Sequence, residues 1–129
     1  MEKTQLNPWP WSEQYGYSQG WRVEGPGSIV YLAGQVAVDA DGNLVGEGDF
    51  DAQCRQVFEN IGAVLAEAGA TFENVVKVTV YVTDVSNLQR YRDIKAGFIT
   101  GRQPASTAIE VKGLAFPALL VEVEAVAVM

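Results

Sequence analysis

The stretch NVVKVTVYVTD, residues 74–84, alternates between β-branched apolar side chains and polar ones. Successive side chains of a strand point to opposite faces, so Val76, Val78, Val80 and Val82 share one side and Lys77, Thr79, Tyr81 and Thr83 the other. A chain with such a strand must cover the valine side, and its neighbours supply the cover. In DFDAQCRQVFENIGAVLAEAGA, the residues Cys54, Val57, Phe58, Ile61, Val64, Leu65 and Ala68 recur at three- and four-residue spacing, which predicts an amphipathic helix. Asp49 or Asp51 can cap it and Gly69 can stop it. A second helix is predicted from a Ser86 cap through Leu88, Tyr91, Ile94, Lys95 and Phe98 to about Thr100, where GRQP breaks the pattern.

The remaining apolar segments read as strands. SIVYLAGQVAV (28–38) leads through DADG, with the hairpin signal Asp41-Gly42, into NLVGE. Two more strands are expected at about 105–111 and 119–128, separated by KGLAFPA. In the last, VEVEAVAV, Val121, Val123, Ala125 and Ala127 share one face, and Glu122 and Glu124 share the other with Val126 and Val128. Strands, helix, strand, helix, strands is the order of an α+β fold, a mixed sheet with two helices on one face. The uncovered face is expected to carry Lys77, Thr79, Tyr81 and Thr83 together with Ser106, Ala108, Glu110, Glu122 and Glu124. It is polar, yet Tyr81, Ala108, Val126 and Val128 leave apolar area that a second subunit could cover. Clefts between subunits are a natural home for small-ligand sites.

Composition narrows the chemistry. A chain of 129 residues, 48% hydrophobic and 19% charged, suits one domain with an ordinary core. Nine basic against sixteen acidic residues give a charge of −7, which disfavours nucleic acid and anionic membrane as partners. The N-terminal sequence lacks the apolar stretch of a signal peptide and no run is long enough to span a membrane, so a soluble cytoplasmic protein is expected. There is no histidine and one cysteine. Ser-His-Asp and Cys-His catalysis are therefore unavailable, no internal disulfide can form, and the commonest transition-metal ligand is missing. No glycine fingerprint for a nucleotide cofactor occurs, so neither cofactor nor metal is expected. Cys54 lies on the apolar stripe of its helix and reads as a packed thiol rather than a nucleophile.

Several segments, in order and spacing, resemble the RidA/YjgF family of small trimeric proteins: YSQG (17–20), LAGQVAVDADG (32–42), AQCRQVFENIGAVLAEAGA, VVKVTVYVTDVSN (75–87), PASTAIEV (104–111) and VEVEAVAV. The resemblance covers about Tyr15 to Val128. It implies a chorismate-mutase-like fold over a single domain, residues 1–129 with an N-terminal arm at 1–14, and a homotrimer whose sheets form a central barrel with three intersubunit clefts. It also implies cofactor-independent hydrolysis of reactive enamines and imines, such as 2-aminoacrylate, to 2-keto acids and ammonia. On this resemblance Glu124 is the catalytic carboxylate that positions or activates water. Tyr17 sits at the cleft mouth, Ala33 and Gly34 line the pocket, and Ser106, Thr107 and Ala108 contact the ligand.

One departure bears on the substrate. Where the deaminating members carry an arginine followed two residues later by a cysteine or similar small residue, this chain has Ser106 and Ala108. A guanidinium grips a carboxylate through two parallel hydrogen bonds, which a serine hydroxyl cannot reproduce. Such a charged contact is worth about 1.5–3 kcal/mol, or one to two decades of affinity. Simple 2-imino acids are therefore poor candidate substrates unless another cation substitutes, with Arg102, Lys112, Arg22 and Lys77 as the candidates; each also reads as a solvated or interface charge. The aromatic segment NPWPW (7–11), with Tyr15, Tyr17 and Trp21, either packs on the sheet edge or walls the cleft, and Pro8 and Pro10 would hold it extended. Three readings stay open: a C=N or C–N hydrolase of atypical substrate, a metabolite-binding or regulatory trimer without chemistry, and, least favoured by the charge, an RNA-directed or chaperone activity.

Overall fold

In the computed structural model, which describes all 129 residues, the chain forms six strands and two α-helices: β1 (Glu2–Leu6), β2 (Gly20–Glu24), β3 (Ile29–Gln35), α1 (Phe50–Glu67), β4 (Val75–Val82), α2 (Leu88–Ala96), β5 (Ala105–Glu110) and β6 (Val121–Val128). The main sheet runs β3-β6-β4-β5, with β4 and β5 parallel and the other neighbours antiparallel. Both helices lie on one face, as expected for an α+β fold. None of them is long and apolar enough to cross a membrane.

The core forms where the helix stripes meet the valine face. Val57, Phe58, Ile61 and Leu65 of α1 are buried against Val78, Val80, Val82, Val121, Val123 and Ala125 of the sheet. Phe58 stacks on Phe98 at a 5.2 Å centroid distance and lies 5.8 Å from Tyr91, tying α1 to α2 through aromatic contact. Cys54 is buried in this cluster and burial pushes its thiol up to about 12, so it packs as an inert apolar group. Asp49 is the cap of α1, its carboxylate accepting from the Ala52 N–H at 3.1 Å, and Gly69 adopts the left-handed conformation just beyond its end. Gln53, wholly buried, donates to the carbonyls of Gly46 and Ala118 and accepts from the Leu120 N–H. One amide thereby ties two loops to the helix.

Five local expectations are corrected. Val75, not Val76, is buried in β4, because a bulge between Val75 and Lys77 breaks the pairing register with β6 and flips the first residue. Asp84, not Ser86, supplies the cap after β4: its carboxylate accepts from both the N–H and the hydroxyl of Ser86, and a short 3-10 turn precedes α2. α2 itself ends at Ala96, four residues before the expected Thr100, where the Gly97 N–H closes back on Ile94. The hairpin at Asp41-Gly42 shrinks to one bridge, Val38 with Leu44, while the Asp39 carboxylate holds the turn by accepting from the N–H groups of Asp41 and Asn43. The N-terminal arm, for its part, folds: β1 pairs antiparallel with β2, and Pro10 opens a 3-10 helix, Pro10–Tyr15, instead of extending the segment.

Candidate functional site

The second face of the sheet is bare. Tyr31, in the middle of β3, is 76% exposed, and Ile29 and Ile109 on the two edge strands are open as well. Glu124 lies on this face beside Thr79, and Glu122 lies beside Tyr81. The Tyr81 hydroxyl donates to Glu124 Oε1 at 2.6 Å. That bond, then burial and the two nearby carboxylates, raises the Tyr81 pKa and keeps the phenol protonated as a donor. Ala33 is exposed on β3, and Gly34 sits so close to Glu122 that a Cβ there would collide with its carboxylate. Gly34, Tyr81, Glu122 and Glu124 therefore form one cluster around a carboxylate with a fixed donor, and Ala33 precedes Gly34 on β3. A carboxylate so placed can orient a water and accept its proton.

Ser106 and Ala108 are not part of it, which corrects the expected face. β5 runs parallel to β4 with Val78 beside Ser106, Val80 beside Ala108 and Val82 beside Glu110, so these three share the helix face with the valines. Of Ser106, Thr107 and Ala108, only Thr107 points to the open face, where its hydroxyl accepts from Lys77 Nζ at 2.7 Å. The misreading came from counting alternation within β5 without knowing its register to β4. Alternation alone cannot say which of two faces is which.

Ser106 and Ala108 instead line a cavity of about 200 Å³ between β5 and α2, together with Tyr15, Tyr17, Leu88, Tyr91, Arg92 and Lys95. One side of α2 (Leu88, Tyr91, Arg92, Lys95) forms its wall opposite the slim side chains of Ser106 and Ala108 on the strand. Tyr17 is held there by the chain's approach to the sheet: the Ser18 N–H donates to the Pro104 carbonyl at 3.0 Å and the Ser18 hydroxyl to the Gln103 carbonyl. Trp11 meets the Tyr17 ring edge-on at 6.2 Å, and both Trp9 and Trp11 are about half exposed. The aromatic segment thus flanks this cavity and does not bury itself on the sheet.

None of the four cations named as substitutes for the arginine lines that cavity. Lys77 is engaged with Thr107 on the other face, Arg22 pairs with Glu24 at 3.1 Å, and Lys112 is exposed. Arg102 lies 5.2 Å over the Trp21 ring in a separate recess of about 320 Å³ that also holds Lys3. That recess is larger but lacks every predicted site residue. The cations of the smaller cavity are Arg92 and Lys95, which sequence reasoning passed over. Lys95 gave a signal all the same, since it occupies the apolar stripe of α2 with Leu88 and Tyr91. A lysine on a buried stripe is either a paired charge or a working one.

One helical layer on a four-stranded mixed sheet is the fold that this chain shares with solved Rid-family structures. A Rid-family protein of Yersinia pestis, YyfB, matches over 100% of both chains at a TM-score of 0.90 and 38% identity. RidA from a Psychrobacter species matches at a TM-score of 0.74 and 32% identity over 88% of both chains. The chain belongs to the family described as Endoribonuclease L-PSP, whose model matches residues 12–129. Among curated relatives, a RutC family protein of Pyrococcus abyssi is 37% identical over 111 residues, 86% of this chain and 84% of its own length. Protein DfrA of Myxococcus xanthus is 35% identical over 112 residues, 87% of this chain and 84% of its own length.

Proposed function

We propose that three copies of the chain assemble around their bare sheet faces and that each intersubunit cleft hydrolyses a C=N or C–N bond of a small molecule. The observation that carries this reading is the division of the candidate residues between two faces of one sheet. Glu124, Ala33, Gly34 and Thr107 lie on the open face and Tyr17, Ser106 and Ala108 on the helix side. Within one chain the sheet separates them; a cleft holding both sets needs one set from each of two copies.

The chemistry requires little apparatus. An imine carbon is already electrophilic, so the site must orient a water, take its proton and return a proton to nitrogen. Glu124, with Tyr81 fixing one of its oxygens, accepts the proton as the water oxygen bonds to carbon. The proton then passes to nitrogen to give a carbinolamine; its hydroxyl proton is next moved to the amine by way of the same carboxylate, the C–N bond breaks, and the products are a carbonyl compound and ammonia. No electron leaves or enters, and neither metal nor cofactor takes part.

Position 106 shapes the substrate. Without a guanidinium there, 2-aminoacrylate should be hydrolysed little faster than in buffer, Ser106→Arg should raise that rate, and Glu124→Gln in the same background should remove the gain. Steady-state assays on 2-aminoacrylate and a panel of other imines test this. Fast native turnover of 2-aminoacrylate would overturn the reading of Ser106. The loss of the arginine also favours a second reading, a trimer that binds a metabolite without chemistry; bound ligand with no turnover on the panel would decide for it. Nuclease activity, named in the family description, is opposed by the charge of −7, and a salt-dependent RNA titration would reveal it.

A further inference from the structure

We infer that Lys95, with Tyr91 in the same lining, is the anion anchor of this cavity, and that the ligand is a small organic carboxylate received on helix α2 in place of position 106. The inference rests on the reading of the cavity as one half of the ligand cleft.

Lys95 is 2% exposed and takes part in no ion pair. Its ammonium makes one hydrogen bond, to the Gly16 carbonyl at 2.6 Å, and so keeps two of its three N–H donors for another partner. A buried ammonium without a counter-ion is costly, and an arriving anion removes that cost. Tyr91 is also 2% exposed, lines the same cavity, and its hydroxyl has no hydrogen-bond partner at all. A buried hydroxyl left unpaired is rare enough to call for an explanation, and a ligand acceptor supplies one. The Lys95 ammonium lies 5.8 Å from the Tyr91 ring centre, and both residues belong to the same lining.

The surroundings fit an anion. Arg92, whose guanidinium lies 5.5 Å over the Tyr15 ring, adds a second positive charge to the lining, and Ser106 adds a hydroxyl. The cavity lining contains no carboxylate; Glu13 and Asp93 line an adjoining recess that Arg92 and Lys95 also border, and neither carboxylate pairs with Lys95. A volume of about 200 Å³ suits a molecule of a few heavy atoms. Burial first, and then the Arg92 charge, lower the Lys95 pKa to about 8, so the anchor is charged at neutral pH and discharges just above it. Burial first, and then Cys54, raise the Tyr91 pKa against the opposing Arg92 charge, which leaves its hydroxyl a donor at neutral pH. A single ammonium offers point attraction rather than the two-pronged grip of a guanidinium, so anions shaped for an arginine at position 106 are not its best ligands.

Calorimetric titration of the full-length protein with acetate and pyruvate, against the neutral isostere acetamide, tests the inference. Both carboxylates should bind and acetamide should not. Lys95→Met should weaken carboxylate binding on the order of tenfold or more, Tyr91→Phe by a smaller factor, and Lys95→Arg should restore part of the loss. In the native protein the affinity should fall as pH rises through about 8. That measurement needs no variant and stands even where Lys95→Met fails to fold. Equal binding of acetamide, unchanged binding by folded Lys95→Met, or an affinity indifferent to pH across that range would overturn the anchor. The hydrolase reading fails separately. Carboxylate binding that persists in native protein and in Glu124→Gln, with no imine turnover in either, keeps the anchor and removes the enzyme; turnover of neutral imines without carboxylate binding does the reverse.

Discussion

Two residues in this chain hold charge or polarity where the surroundings give them little return. Lys95 keeps its ammonium buried beside Arg92, with only one carbonyl to bond. The consequence for stability has a definite sign. With a folded pKa of about 8 against 10.5 for an ordinary lysine, the native state sheds a proton that the unfolded chain retains between those values, so this group makes the protein more stable as pH rises through that window. Cys54 acts the other way: its thiol, raised from 9.0 to about 12, keeps a proton that the unfolded chain loses above 9. The contribution of Lys95 is isolated by comparing the native protein with Lys95→Met. Urea unfolding at the two ends of the window should show native stability improving relative to the variant as pH increases, and a constant difference would mean that Lys95 is not desolvated in solution.

At the scale of elements, α1 is the support from which the rest is positioned. Its cap, its aromatic contact with α2 and its Gln53 bridge to two loops all converge on the sheet face that carries the cavity. Asp49→Ala should cost about 1 kcal/mol, read as a lower urea midpoint at unchanged slope, because the Ala52 N–H loses its acceptor. The short α2 has the opposite character. It ends at Ala96, and the side that carries Leu88, Tyr91, Arg92 and Lys95 forms one wall of the cavity opposite Ser106 and Ala108 of β5. The alternation in β4 and the apolar stripe of α1 were plain in the sequence, since each depends on spacing within one segment. The bulge at Val75 and Val76 was not legible, because it is created by pairing with β6.

For the whole molecule, the decisive fact is a four-stranded sheet covered on one side only. Tyr31, Ile29 and Ile109 lie open on the face that carries Glu122 and Glu124, a surface too mixed to be indifferent to water and too apolar to be ideal in it. Light scattering at micromolar concentration should therefore give about three times the chain mass of 14.0 kDa. A clean monomer would leave Glu124 facing solvent and would end the shared-cleft proposal. Turnover, where found, should survive EDTA, since the proton transfers proposed here use only Glu124 and Tyr81; loss restored by a divalent ion would point to a metal site.

The sequence by itself determined the α+β order, the two helices, the valine face they cover and the presence of Glu124 on a polar face, because periodicity is a local property that a chain carries before it folds. It also carried the family resemblance, through the order and spacing of short segments. What it could not determine was which residues meet. Ser106 and Ala108 were assigned to the face of Glu124, yet the parallel register of β5 against β4 turns them toward α2 and Lys95. Register is set by hydrogen bonds between segments more than twenty residues apart, and a shift of one residue exchanges the two faces of a strand. Lys95 was visible as a lysine on an apolar stripe, but only the tertiary structure brought Tyr91, Arg92 and Ser106 around it and left its charge without a partner.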